Sequence, residues 1–110
     1  MKPFRLTPQA EARLADIALW TVEHFGVDQA RRYERELIDR LKALASGNPP
    51  YGRPCGLLVP GEDSGDDLYY YQQGRHYIVY RDTPAQLIVI DFVHGSRDLP
   101  RVLENLANRD

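Results

Sequence analysis

A single cysteine, Cys55, is all the sequence holds, so no internal disulfide can form, and without a second Cys or a Cys/His cluster no zinc site is expected. No apolar run approaches the roughly 18 residues of a membrane span. The opening Met1-Lys2-Pro3-Phe4-Arg5 lacks the apolar core of a signal peptide. A cytoplasmic protein with no membrane association is the expectation. Positive charge is not in excess either: 14 basic side chains face 16 acidic ones, giving a net charge of −2, and no lysine lies beyond Lys42. That balance argues against indiscriminate nucleic-acid binding. Internal repeats, low-complexity tracts, a glycine-rich phosphate loop, a Ser-His-Asp order, an HExxH pair and a paired-carboxylate motif are all missing. No cofactor and no metal are expected.

What is present suffices for one domain over residues 1–110, since 43% of the residues are hydrophobic and 27% charged, the composition of a globular chain with a modest core. Phe4-Arg5-Leu6-Thr7 reads as a short strand running into a helix, with Thr7 as N-cap and Pro8 at the first helical position. Leu14, Ile17, Ala18, Thr21, Val22 and Phe25 recur at helical spacing and predict a core-facing stripe, ended by Gly26. Asp28 is placed to cap a second helix, whose stripe is Ala30, Tyr33, Leu37, Ile38, Leu41, Leu44 and Ala45. The link between the two is short enough to demand an antiparallel helical hairpin. Residues 47–67, rich in Gly, Pro and Asp, read as a long surface loop.

Three strands follow, Leu68 to Gln72, His76 to Arg81 and Gln86 to Val93, joined by tight connections. The last is apolar on both faces and should lie inside the sheet. Asp98 and Pro100 then open a short closing helix through Leu103 and Leu106. The fold class is α+β: a small antiparallel sheet with the N-terminal helical hairpin on one face, in the order β-α-α-β-β-β-α. If residues 82–86 close the second hairpin, Tyr77, Val79 and Arg81 share a face with Leu87, Val89, Asp91 and Val93. Ile78, Tyr80, Ile88, Ile90 and Phe92 form the other face, which suits the helices.

Several residues invite a chemical reading, each with a structural alternative. Asp91 is either a general base or half of a structural contact with Arg81 or Tyr77. The run Tyr69-Tyr70-Tyr71 is either a base-stacking platform or ordinary strand composition. Trp20 lies off the core stripe, which suits a partner surface or packing on the closing helix. His94 and Arg97 are the pair with catalytic character, and a strand-end histidine equally serves a backbone hydrogen bond.

The order of these segments resembles a known group. Thr7-Pro8-x-Ala10, Gly26 with Gln29-Ala30 and Tyr33, Pro50-x-Gly52-Arg53, Gly74-Arg75-His76-Tyr77-Ile78-Val79-Tyr80-Arg81 and Ile90-Asp91-Phe92-Val93-His94-Gly95-Ser96-Arg97-Asp98-Leu99 look like the toxins of type II toxin–antitoxin modules in the RelE/ParE superfamily, on the ParE side. The resemblance covers nearly the whole chain. It implies the fold above and a hetero-oligomer with a ParD-like antitoxin, whose C-terminal tail wraps the toxin while its N-terminal domain binds operator DNA. The toxin itself is then not a sequence-specific DNA binder. It implies further a toxin that inhibits DNA gyrase by binding; the alternative is a ribosome-dependent mRNA endoribonuclease of the RelE type. A third reading is a degenerate toxin kept only as an antitoxin-binding regulator.

Within this group the nucleases are strongly basic, and the position where several carry a catalytic arginine is Tyr77 here. His94 and Arg97 match the ParE-like ending, where they are not established as catalytic. Tyr69 replaces an arginine common in ParE chains, and the acidic stretch Glu62-Asp63-Ser64-Gly65-Asp66-Asp67 is unusual. The antitoxin is expected on Trp20, Tyr33, Tyr77, Val79, Arg81 and Asp91. The target is expected on the closing segment through Arg97, Arg101, Leu103 and Leu106.

Overall fold

The structure, a computed structural model, describes residues 2–49, 51–54, 68–96 and 101. Strand β1 (Phe4–Leu6) leads into helices α1 (Pro8–Phe25) and α2 (Val27–Ala45), followed by β2 (Arg53–Pro54), β3 (Leu68–Gln73), β4 (His76–Asp82) and β5 (Leu87–His94). They form one five-stranded sheet in the order β1-β5-β4-β3-β2. No helix among the described residues is long and apolar enough to cross a membrane.

The start of α1 follows its sequence. Thr7 Oγ1 accepts the Ala10 N–H at 3.2 Å and donates to the Ile90 carbonyl at 3.0 Å, so one side chain caps the helix and ties it to β5. Gly26, at φ +92°, accommodates both the end of α1 and the start of α2. The second helix therefore begins at Val27 without a side-chain cap, one residue before the expected Asp28 cap. The left-handed glycine alone makes the corner.

The helical hairpin covers one sheet face. Ala10, Leu37, Leu41, Leu44 and Ala45 pack on Ile78, Tyr80, Leu87, Val89 and Phe92 in a single core. The stripe of α2 is as the spacing requires. That of α1 is only partly buried: Val22 and Phe25 are exposed, because the end of α1 has too little sheet beneath it, and Ala10 is fully buried instead.

Three features depart from the sequence reading. The sheet is mixed, not purely antiparallel, because β1 pairs parallel with β5, Phe4 opposite Leu87 and Leu6 opposite Val89. Within the expected loop, Arg53 and Pro54 form a two-residue edge strand opposite Tyr70 and Tyr69. Here Gly52 meets Tyr80, whose hydroxyl a Cβ would overlap. Third, the β4–β5 register shifts between Val79 and Tyr80: Val79 lies opposite Asp91, yet Tyr80 lies opposite Val89. The extra residue, Ile90, is a bulge that exchanges the faces of the first half of β5. Leu87 and Val89 consequently join Ile78, Tyr80 and Phe92 under the helices. Arg101 is helical and exposed. Cys55, the acidic stretch at 62–67, Arg97, Leu103, Leu106 and the rest of the closing helix lie outside the described residues.

Candidate functional site

Trp20 stands on the flank of α1 that turns toward the C-terminal half of β5 and the β3–β4 turn. Its ring stacks on His24, with centroids 4.1 Å apart and planes 20° apart, and meets Phe25 edge-on at 5.8 Å. The Arg75 guanidinium, carried by the turn, lies 5.0 Å above the Phe25 ring and 5.8 Å above Trp20. Trp20 is 41% exposed and Phe25 is 52% exposed, so this aromatic–arginine ridge faces solvent.

Two clefts flank the ridge, and both are walled by Trp20 and His76. One, of about 330 Å³, also takes in Arg13, Asp16, Asp91 and His94. The other, of about 270 Å³, also takes in Gln29, Tyr33, Glu36 and Arg75. Together they make a groove along α1.

The wall between the clefts is pinned by hydrogen bonds. Tyr33 Oη accepts the Arg75 N–H at 3.1 Å, donates to the Gln73 carbonyl at 2.9 Å, and lies 2.8 Å from His76 Nδ1. All three contacts are satisfied together when His76 carries its proton on Nδ1 and donates to Tyr33. Burial raises the Tyr33 pKa. Burial also lowers the His76 pKa from 6.5 to about 4, helped by the charges of His94 and Arg75. The wall is thus neutral near pH 7. Gly74 completes it: φ is +59°, and a Cβ there would stand 2.6 Å from the Tyr33 ring.

At the floor, Asp91 is buried and engaged three times. Its carboxylate accepts the Phe92 N–H at 2.8 Å and Gln9 Nε2 at 2.8 Å, with Arg13 Nε at 3.4 Å. These partners come from α1 and from the strand itself rather than from Arg81 or Tyr77. A carboxylate so occupied is a structural anchor and a poor general base. His94 is exposed at the groove end, where its Nδ1 accepts the Ser96 N–H at 3.1 Å and lies 2.7 Å from Ser96 Oγ. That closes a turn and holds the ring as the Nε2–H tautomer. Its ring meets His76 edge-on at 5.3 Å.

Of the residues expected to contact an antitoxin, the structure gathers Trp20, Tyr33 and Asp91 at this groove. Tyr77 points to the opposite sheet face beside Tyr70, Val79 is fully buried, and Arg81 is half-buried on β4 opposite Ile88. Phe25, Arg75 and His76 were not among the expected site residues. Helical phase put Phe25 in the core stripe, and only the turn at Gly74 brings Arg75 and His76 to α1. The arrangement offers aromatic and arginine anchors beside neutral, hydrogen-bonded walls, which suits recognition of another chain.

A hairpin of helices on a small mixed sheet, with a solvent-facing aromatic groove, defines a small α+β domain. Residues 4–99 match the family model described as "ParE toxin of type II toxin-antitoxin system, parDE". The chain belongs to the ParE toxin family. It is 36% identical over 104 residues to Toxin ParE1 of Mycobacterium tuberculosis, covering 91% of this chain and 96% of that protein. It is 36% identical over 84 residues to Toxin ParE1 of Caulobacter vibrioides, covering 74% and 86% respectively. Among solved structures, a chain from the chromosomal ParDE system of P. aeruginosa shares the fold with a TM-score of 0.63 at 15% identity, covering 86% of this chain and 96% of that one.

Proposed function

We propose that this chain is the toxin of a two-component module, held inactive in the cytoplasm by a ParD-type antitoxin whose tail lies in the Trp20 groove. Once released, it acts by binding DNA gyrase rather than by cutting RNA. The observation that carries the antitoxin reading is the exposed ridge of Trp20, Phe25 and Arg75 between two clefts. Large aromatics and arginine at the centre of a groove are the side chains that dominate protein–protein affinity. The fully buried Val79 offers such a tail nothing, so the contact shifts from the sheet face to the flank of α1. Target contact remains assigned to the closing segment, where Arg101 is exposed.

Trp20→Ala should weaken the purified toxin–antitoxin complex by more than about 1 kcal/mol, roughly fivefold in Kd, by titration calorimetry. Unchanged affinity in a folded variant removes Trp20 from the interface.

The mode of action has its own test. The free toxin should inhibit supercoiling by purified gyrase, and His94→Ala should do so almost equally well. Loss of a general acid typically lowers a rate by about 10²–10⁴-fold, so codon-specific cuts on translating ribosomes that vanish in His94→Ala would select the nuclease alternative.

A further inference from the structure

On the sheet face away from the helices, a third cleft, of about 450 Å³, opens among Tyr51, Arg53, Tyr70, Gln72 and Tyr77. The register builds it. Gln72 lies opposite Tyr77 and Tyr70 opposite Val79 across β3–β4, and Arg53 lies opposite Tyr70 across β2–β3. Ile78 and Tyr80 point into the core, so Tyr77 and Val79 point the other way. The tyrosines on the core side have structural partners: Tyr69 stacks on Tyr80, and Arg40 lies 4.8 Å above the Tyr71 ring. Tyr70 and Tyr77 are half-buried as well, and Tyr51 is exposed. Tyr70 and Tyr77 meet edge-on, with centroids 6.0 Å apart and planes 65° apart, and both line the cleft. Strand propensity explains Tyr70 and Tyr77 but not Tyr51, which is 64% exposed and lies outside any strand.

The chemistry of this cleft is specific in three respects. Tyrosine rings lining a cleft accept a flat heteroaromatic ring. A glutamine amide at their edge presents a donor and an acceptor together, matching the polar edge of a nucleobase. The exposed Arg53 guanidinium supplies one cation for a phosphate. The volume lies within the range of about 300–1,000 Å³ usual for small-ligand sites. A long polynucleotide is disfavoured by the net charge of −2.

We propose that the Tyr51–Arg53–Tyr70–Gln72–Tyr77 cleft binds a single nucleotide, its base stacked on tyrosine and read by Gln72, its phosphate on Arg53. This assignment is independent of the antitoxin groove and of the gyrase reading.

The test is a ¹H–¹⁵N titration of the full chain with AMP, UMP and ribose 5-phosphate. Both nucleotides should shift the Tyr70, Gln72 and Tyr77 signals saturably, and ribose 5-phosphate should not. Tyr70→Leu should weaken AMP binding at least about fivefold, while Glu34→Gln on the far side of α2 leaves it unchanged. Should Tyr70→Leu fail to fold, Arg53→Ala serves, and it should weaken AMP more than adenosine. No saturable shift with either nucleotide overturns the proposal, as does equal binding of ribose 5-phosphate. An RNA oligomer binding more than about tenfold tighter than AMP makes the cleft a strand path and overturns it. So does a response of these signals to purified antitoxin but not to nucleotides, which makes the cleft a protein contact.

Discussion

Replacing Asp91 by alanine should lower the unfolding free energy by about 3 kcal/mol, the usual cost of leaving buried, charge-assisted hydrogen bonds unmade. The side chain is buried and is the acceptor for the Phe92 N–H and Gln9 Nε2, with Arg13 alongside. Beyond Val89, β5 has no strand neighbour on its β1 side among the described residues. The carboxylate also satisfies the Phe92 N–H, a buried backbone donor. Asp91→Asn should cost less, because its amide oxygen still accepts one bond. Urea midpoints at constant m-value provide the comparison. A midpoint shift that, multiplied by m, is worth less than about 0.5 kcal/mol for Asp91→Ala would show that the anchor is not needed for folding.

Acid should unfold this protein through His76. Its pKa is about 4 in the folded chain against 6.5 for an ordinary histidine, so below pH 6.5 the unfolded chain binds the proton that the fold refuses. Stability is full above about pH 6.5 and falls as the pH drops toward 4, after which this group contributes no further change. The direction follows from burial against Tyr33 and from the positive neighbours Arg75 and His94. His76→Gln keeps a hydrogen-bonding side chain without the titration and should flatten the profile between pH 6.5 and 4. Thermal unfolding followed by circular dichroism at stepped pH tests this. A wild-type slope that persists in His76→Gln assigns the acid sensitivity to other groups.

The helices were legible because their signals are local. Thr7-Pro8 opens α1, Gly26 closes it, and the α2 stripe has an unambiguous phase. The hairpin of β3 and β4 was legible from the short Gly74 turn. What escaped was non-local or lacked phase. Three residues of β1 carry no information on which edge they join or in which direction. The run Leu87 to Val93 is apolar on both faces, so one extra residue leaves no mark on its alternation, and the bulge at Ile90 is invisible. That bulge keeps Asp91 on the face of Val79, yet its partners come from α1, where Gln9 and Arg13 lie one turn apart. At the groove, Trp20 was legible as a residue off the core stripe. Arg75 and His76 were not, since only the closed sheet sets their turn against Tyr33.

The parallel pairing of β1 with β5 also imposes an order in time. Phe4 is synthesised well before its partner Leu87, which lies far along the chain. At about 5–20 residues per second the ribosome takes roughly 4–16 s between them. Throughout that interval the two helices have no completed sheet to pack on, and Leu37 and Leu41 lack Leu87, Val89 and Phe92 as neighbours. Contacts this distant along the chain are also the slow ones to form. Any surface that depends on the finished sheet, the Trp20 groove included, is therefore absent from nascent chains and from chains terminated before β5.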